Sequence, residues 1–295
     1  MFWLQYDSTP EMLVEQASRS AIPGFDNALG IVRVLFALLH FATLVSLVLG
    51  SGVTVKTDFY KPDIGSQLKT ETLVLRGFER CYAFFTVWNY AAQAVYFCLA
   101  AWCSAAYAFP ADVSVPPQLV LNAMHALFEL STGSAFLVTI IVGFVIWPEL
   151  VREGKATGNL STTHDFLMHN VTVFEVLTEL IFGRVPIGSA HLPYGLLWGL
   201  SYVAWTWVHA PRLAGKRVKT DDVKTNGGNF MYFFLDWTLP PATLIAFLTG
   251  LVIVLLVFYL VAMGIQQLIT VAPLPLWITA PAAFAAGAML TKWRD

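Results

Sequence analysis

Charge is what this chain has least of. Asp, Glu, Lys and Arg make up 12% of its 295 residues, about half the share of soluble domains. Apolar residues reach 57%, and mean hydropathy is +0.65. The length alone would suit two soluble domains, but most of this chain must face something other than water. The 17 basic and 19 acidic residues nearly balance. They form no basic stripe able to neutralise phosphates, which argues against a nucleic-acid partner. Cysteine is also scarce: Cys81, Cys98 and Cys103 fall in or beside one apolar segment. That is no secreted disulfide framework, and nothing nearby would activate a thiol, so they read as small apolar residues. Internal repeats and low-complexity tracts are missing as well. The composition is that of an integral membrane protein.

Runs long enough to cross about 30 Å of hydrocarbon fall at Ile31–Gly50, Tyr82–Tyr107, Leu119–Trp147, Asp165–Phe182, Leu192–His209 and Pro241–Ile265. The expected fold is all-α, a multi-pass transmembrane helical bundle of six spans. A seventh run, Leu268–Thr291, carries Pro273, Pro275 and Pro281, which predicts a broken or re-entrant segment. The aromatic stretch Asn229–Leu239 ends in Pro240-Pro241 and predicts an interfacial helix that turns into the membrane. The expected organisation is an N-terminal extramembrane extension (1–30), a six-helix membrane domain (31–265) and a C-terminal apolar segment (266–295).

Basic residues orient the spans. With alternating spans, one side receives Lys56, Lys61, Lys69, Arg76, Arg80, Arg152, Lys155, Arg212, Lys216, Arg217, Lys219 and Lys224. Lys292 and Arg294 join them if the seventh run crosses. Only Arg19, Arg33 and Arg184 fall to the other side. Loops 1, 3 and 5 are therefore expected on the positive side, cytosol or matrix, with the N-terminus on the trans side. The first residues, with Asp7, Glu11, Glu15 and Asp26 against Arg19, suit neither a transit peptide nor a signal peptide. The first span is expected to act as its own insertion signal. The organelle stays open between an endomembrane and the mitochondrial inner membrane. The sequon Asn159-Leu160-Ser161 falls on the positive side and is expected to be unglycosylated.

Polar groups within spans are costly and mark candidate sites. The second span opens on Thr86 and Asn89, and the fourth on His169 and Asn170. Both run inward from the positive side, so Thr86 and His169 are expected about one turn below the same face. A hydroxyl and an imidazole at one depth suit a nucleophile and its general base. The bland alternative is a back-bonded threonine and a packing histidine. Asn89 and Asn170 are candidate oxyanion donors or cavity-lining groups, and His209 could line the same cavity. A second polar cluster is expected toward the trans side. His125 and Glu129 are spaced i, i+4, as are Glu175 and Glu179, which puts each pair on one helix face. Such residues could relay protons or ligate a metal, but interhelical hydrogen bonding weighs more. No metal-ligand signature and no cofactor motif is present. The run Tyr202 to His209, with Trp205 and Trp207, reads first as an aromatic belt anchoring the fifth span.

Several of these stretches fall in the order of a known family. Phe85-Thr86, Gln93-Ala94-Val95-Tyr96-Phe97, Met168-His169 with Glu179 further on, and Tyr202-Val-Ala-Trp205-Thr-Trp207-Val-His209 resemble the androgen-induced protein family. That family includes the androgen-dependent TFPI-regulating protein. The resemblance covers roughly residues 80–210 and lies in order and spacing more than in any single block. It implies a multi-pass hydrolase of fatty acid esters of hydroxy fatty acids, with Thr86 matching the nucleophile and His169 the base. The N-terminal stretch, the first loop and the Pro-rich C-terminal segment depart from the family and suit docking to partners. The two expectations are thus a Thr/His lipid ester hydrolase and a catalytically silent, lipid-binding accessory subunit of a membrane complex, for example in the mitochondrial inner membrane. Membrane lipids are the expected partners in both.

Overall fold

The computed structural model describes residues 9–57, 62–67, 71–152, 162–183, 185–214, 230–271 and 275–291. Residues 1–8, Lys61, Lys69, Lys155, the sequon at Asn159, Arg184, residues 215–229, Lys292 and Arg294 lie outside them.

The protein is mostly helical. Helix α1 (Pro10–Ser18) starts where the Thr9 hydroxyl accepts the Met12 N–H and Pro10 takes the first helical position, the residue types that stabilise a helix start. After α2 (Asp26–Leu49) the first loop forms an antiparallel hairpin, β1 (Val53–Thr57) with β2 (Glu71–Leu75), in the register Val53 opposite Leu75. Then come α3 (Phe78–Ala83), α4 (Phe85–Ala108) and α5 (Gln118–Ile140). Helix α5 widens into a π-helical stretch, Ile141–Ile146, before α6 (Trp147–Arg152). Beyond the third loop, α7 (Thr163–Phe166) passes through a second π turn, Leu167–Val171, into α8 (Thr172–Phe182). Helices α9 (Leu192–Ala214), α10 (Pro241–Val271) and α11 (Leu276–Leu290) complete the chain.

Among the described residues, four helices are long and apolar enough to cross a membrane: Asp26–Leu49, Phe85–Ala108, Gln118–Ile146 and Pro241–Ile269. Their outer faces are open, with Phe41, Val95, Phe144, Ile245 and Ile253 exposed. Apolar side chains in such numbers at the surface belong in lipid, and the chain is an integral membrane protein. Helix α11 continues through Pro281. Its 15 residues span about 22 Å, less than a hydrocarbon core. Phe284 stacks near Phe174 and Phe182 on α8.

Side-chain contacts fix the helix directions. Arg33 meets Ser104 while His40 meets Gln93, so α2 and α4 run antiparallel. Arg33 meets Glu179 and His40 meets Glu175, which sets α8 antiparallel to α2. Cys103 touches Met124 and Tyr96 stacks on Phe128, so α5 reverses α4. Gly195 lies against Tyr259 and Gly199 against Leu255, so α9 and α10 are antiparallel.

The largest core cluster joins Leu13 and Ala17 of α1 to Phe97, Phe128, Val176 and Tyr259 of α4, α5, α8 and α10. Helix α1 is therefore part of the same core as the long helices. The stretch before α10 differs from the interfacial helix expected there. Its described part, from Phe230, holds a single 3-10 turn at Phe233–Leu235. The buried Asp236 carboxylate explains the turn, accepting from the Ser66 hydroxyl (2.7 Å) and from the Thr238 N–H and hydroxyl (2.8 and 2.6 Å). These bonds replace those a helix would have made.

Candidate functional site

Thr86 and His169 are both buried, 7% and 6% exposed. Their chain neighbours Val87 and Met168 pack into one apolar cluster with Leu47 and Tyr90. The ends of α2, α4 and the α7–α8 segment therefore meet at this cluster. His169 sits within the π turn, and its carbonyl accepts the Thr139 hydroxyl of α5 at 2.5 Å. A π turn leaves a carbonyl without its usual intrahelical donor, and such turns concentrate at functional sites. The His169 Nδ1 faces the Asp165 carboxylate one turn earlier at 3.8 Å. Thr86 is in hydrogen-bonding contact with the Tyr232 hydroxyl, which also meets the Phe85 backbone and Tyr202. Burial pushes the Tyr232 phenol up to about 12, against these hydrogen bonds. At neutral pH it is a neutral donor. Among the described residues no hydrogen bond joins Thr86 to His169.

Tyr202 and Trp205 do more than sit at an interface. The Tyr202 hydroxyl donates to the Ala83 carbonyl at 2.7 Å, and the Trp205 indole donates to that of Tyr82 at 3.0 Å. These are the last carbonyls of α3, which lack intrahelical donors. The fifth-span aromatics thereby fix the α3–α4 junction and the entry of Thr86. Trp207 does the same for the Leu235 carbonyl (3.0 Å), which steadies the turn after Tyr232. His209 is stacked on Trp205 (4.1 Å between centroids) and edge-on to Tyr82 (4.5 Å), so it belongs to this end of the molecule. Asn89 and Asn170 are buried as well. A surface groove of about 440 Å3, lined by Cys81, Trp88, Ala91, Ala92, Val95, Leu127 and Trp198, lies on the face of α4 turned away from Thr86.

The second expected cluster divides in two. Glu129 on α5 accepts the Gly188 N–H at 2.6 Å and pairs with His191 Nδ1 at 2.9 Å, with His125 one turn earlier on the same helix. Tyr259 of α10 completes this group by donating to the Gly188 carbonyl at 2.7 Å. The α8 carboxylates turn instead to α2. Arg33 grips Glu179 with two 2.7 Å bonds, and its Nη1 donates to Ser104 at 2.9 Å and to the Ala17 carbonyl that ends α1. Glu175 faces His40 at 3.4 Å. Arg33, His40, His191 and Tyr232 join these groups without being among the residues the sequence marks as candidates. Arg33 and His40 share the buried stripe of α2 with Ala37, Thr43 and Leu47, a signal open to periodicity. His191 and Tyr232 lie in short irregular segments with no such signal.

No family model matches the chain, and no curated protein or solved structure matches it either.

Proposed function

We propose that this chain is a six-span membrane protein, with α11 as an added apolar segment, that cleaves lipid esters at a Thr86–His169 site. The alternating helix directions support the span count. With it come loops 1, 3 and 5 on the positive side and the N-terminus opposite. The reading rests on one observation: a buried hydroxyl and a buried imidazole sit next in the chain to Val87 and Met168, which belong to one apolar cluster with Leu47 and Tyr90. The resemblance to the androgen-induced protein family names the same two residues.

In this mechanism Thr86 Oγ attacks the ester carbonyl while His169 takes its proton and returns it to the leaving alkoxide. Water then hydrolyses the acyl-threonine, with His169 accepting its proton. Asp165 behind Nδ1 supports the imidazolium. Tyr232, in contact with Thr86, and the buried Asn89 and Asn170 are the candidates to donate to the oxyanion.

The Thr86–Tyr232 contact favours a second reading, a lipid-binding accessory subunit in which Thr86 is a packing group. Turnover of a branched fatty ester by the full chain in lipid nanodiscs separates the two. The hydrolase reading expects activity that falls about 10^4-fold or more in Thr86→Ala and in His169→Ala. Equal turnover in all three, or none in the wild type, refutes it. A stoichiometric partner retained in mild detergent, with no turnover, establishes the second reading.

A further inference from the structure

A file of buried polar side chains runs inward from Thr86 and His169 along the facing sides of α2, α4 and α8. On α4 it follows Thr86, Tyr90 and Gln93, spaced i, i+4 and i+7, one helix face. Helix α8 contributes Thr172, Glu175 and Glu179, and α2 contributes Thr43, His40 and Arg33, all of them buried. At its mouth the Ser46 hydroxyl meets His164 Nε2 at 2.9 Å. From Ser46 to Arg33 the file covers about 20 Å of helix, at 1.5 Å per residue.

Its centre is short of hydrogen bonds. His40 Nδ1 donates to the Phe36 carbonyl at 2.9 Å, which leaves Nε2 as a lone pair in the neutral ring. The groups facing that lone pair are Gln93 Oε1 and Glu175 Oε2, each 3.4 Å away. Neither Glu175 oxygen has a protein hydrogen bond, nor does Gln93 Nε2, nor Asn89 Oδ1 one turn nearer the mouth. The Gln93 amide can turn its Nε2 to that lone pair, but a lone pair and a carboxylate oxygen that face one another need a proton between them. Buried polar atoms without protein partners are the sites where ordered water is held. Beyond Glu175 the character changes. Arg33 commits four of its five N–H donors to Glu179, Ser104 and the Ala17 carbonyl, so this end of the file is tied up in protein hydrogen bonds and leaves little for water to join.

We propose that this file is a hydrated half-channel that brings protons from the Thr86–His169 end to a binding site shared by His40 and Glu175, with the Arg33–Glu179 pair as its closed end. The site takes one proton, held either on the Glu175 carboxyl or on His40 Nε2, and water carries it in and out. The titratable groups facing it are Tyr90, stacked on the His40 ring at 4.0 Å, and one turn on Arg33, Glu179 and Tyr96. Ester hydrolysis at Thr86 does not require this site, so the inference stands apart from that reading.

Infrared difference spectra of the full chain in nanodiscs, titrated from about pH 4 to about pH 9, test it. The expected result is a protonated-carboxyl band that titrates, is lost in Glu175→Gln and shifts within minutes of transfer to D2O. Gln93→Leu is expected to slow that exchange about tenfold or more while leaving the band in place. Should Glu175→Gln fail to accumulate, Glu175→Asp must move the band. Identical spectra for wild type and the Glu175 variant across that range overturn the proton site. A Glu175 band that resists D2O for hours overturns the half-channel.

Discussion

Replacing Arg33 by methionine removes a guanidinium that is fully buried and leaves the Glu179 carboxylate, 1% exposed, without its counter-charge. Breaking a buried pair in this way costs about 3–5 kcal/mol, most of it the uncompensated charge left behind. At about 2–4 °C per kcal/mol, melting followed by tryptophan fluorescence in detergent is expected to fall by roughly 6–20 °C. The double variant tests the same charge balance. Arg33→Met with Glu179→Leu removes both charges and is expected to recover more than half of the loss, because apolar replacement of a whole pair is close to neutral. The Ala17 carbonyl and the Ser104 hydroxyl still lose their donor, so recovery stays incomplete and α1 becomes the first segment cut by protease. A single variant within about 2 °C of wild type refutes the argument. So does a double variant that melts as low as the single one.

Three further outcomes follow from local geometry. A Cβ at Gly183 would lie 2.5 Å from Glu179 Oε2 and 2.6 Å from the Glu179 carbonyl, so Gly183→Ala is expected to cost about 1–3 kcal/mol in the same melting assay. Asp236→Ala removes the acceptor that ties Ser66 to Thr238. Hydrogen exchange at Gln67, whose N–H donates to Thr238, is expected to speed up about 100-fold, the equivalent of about 3 kcal/mol of local stability. Burial pushes the Cys81 thiol up despite the neighbouring Arg80. Since the thiolate is the reactive form, alkylation of Cys81 should keep accelerating at pH values where a free cysteine has levelled off.

What could be read from the sequence was whatever repeats along one helix. Scarcity of charge identified a membrane protein, and an apolar run overlaps every long helix, although α2 begins before its run at Asp26 and α9 and α10 extend past theirs to Ala214 and Val271. The pairs His125/Glu129 and Glu175/Glu179 were visible because i, i+4 spacing puts them on one face. Their partners were not. Arg33 and Glu179 are 146 positions apart, and only the packing of α1, α2, α4 and α8 brings them together. The π turn at Leu167–Val171 leaves no mark in the sequence either, since residue types read the same whether a turn holds four residues or five. The β1–β2 hairpin lay between charged positions that had been read for orientation alone. Composition marks the aromatic run at Tyr202 only as a candidate interface; that its donors cap the end of α3 is visible only in the structure.

The central claim is that Thr86 is a nucleophile activated by His169, and covalent capture tests it most directly. A lipophilic fluorophosphonate presented to the full chain in nanodiscs should lose fluoride to the attacking hydroxyl, leaving a phosphonyl group on Oγ. Peptide mass spectrometry is expected to place that group on Thr86, with labelling reduced about 100-fold or more in His169→Ala. Labelling elsewhere, or labelling of Thr86 that persists undiminished without His169, would contradict the account.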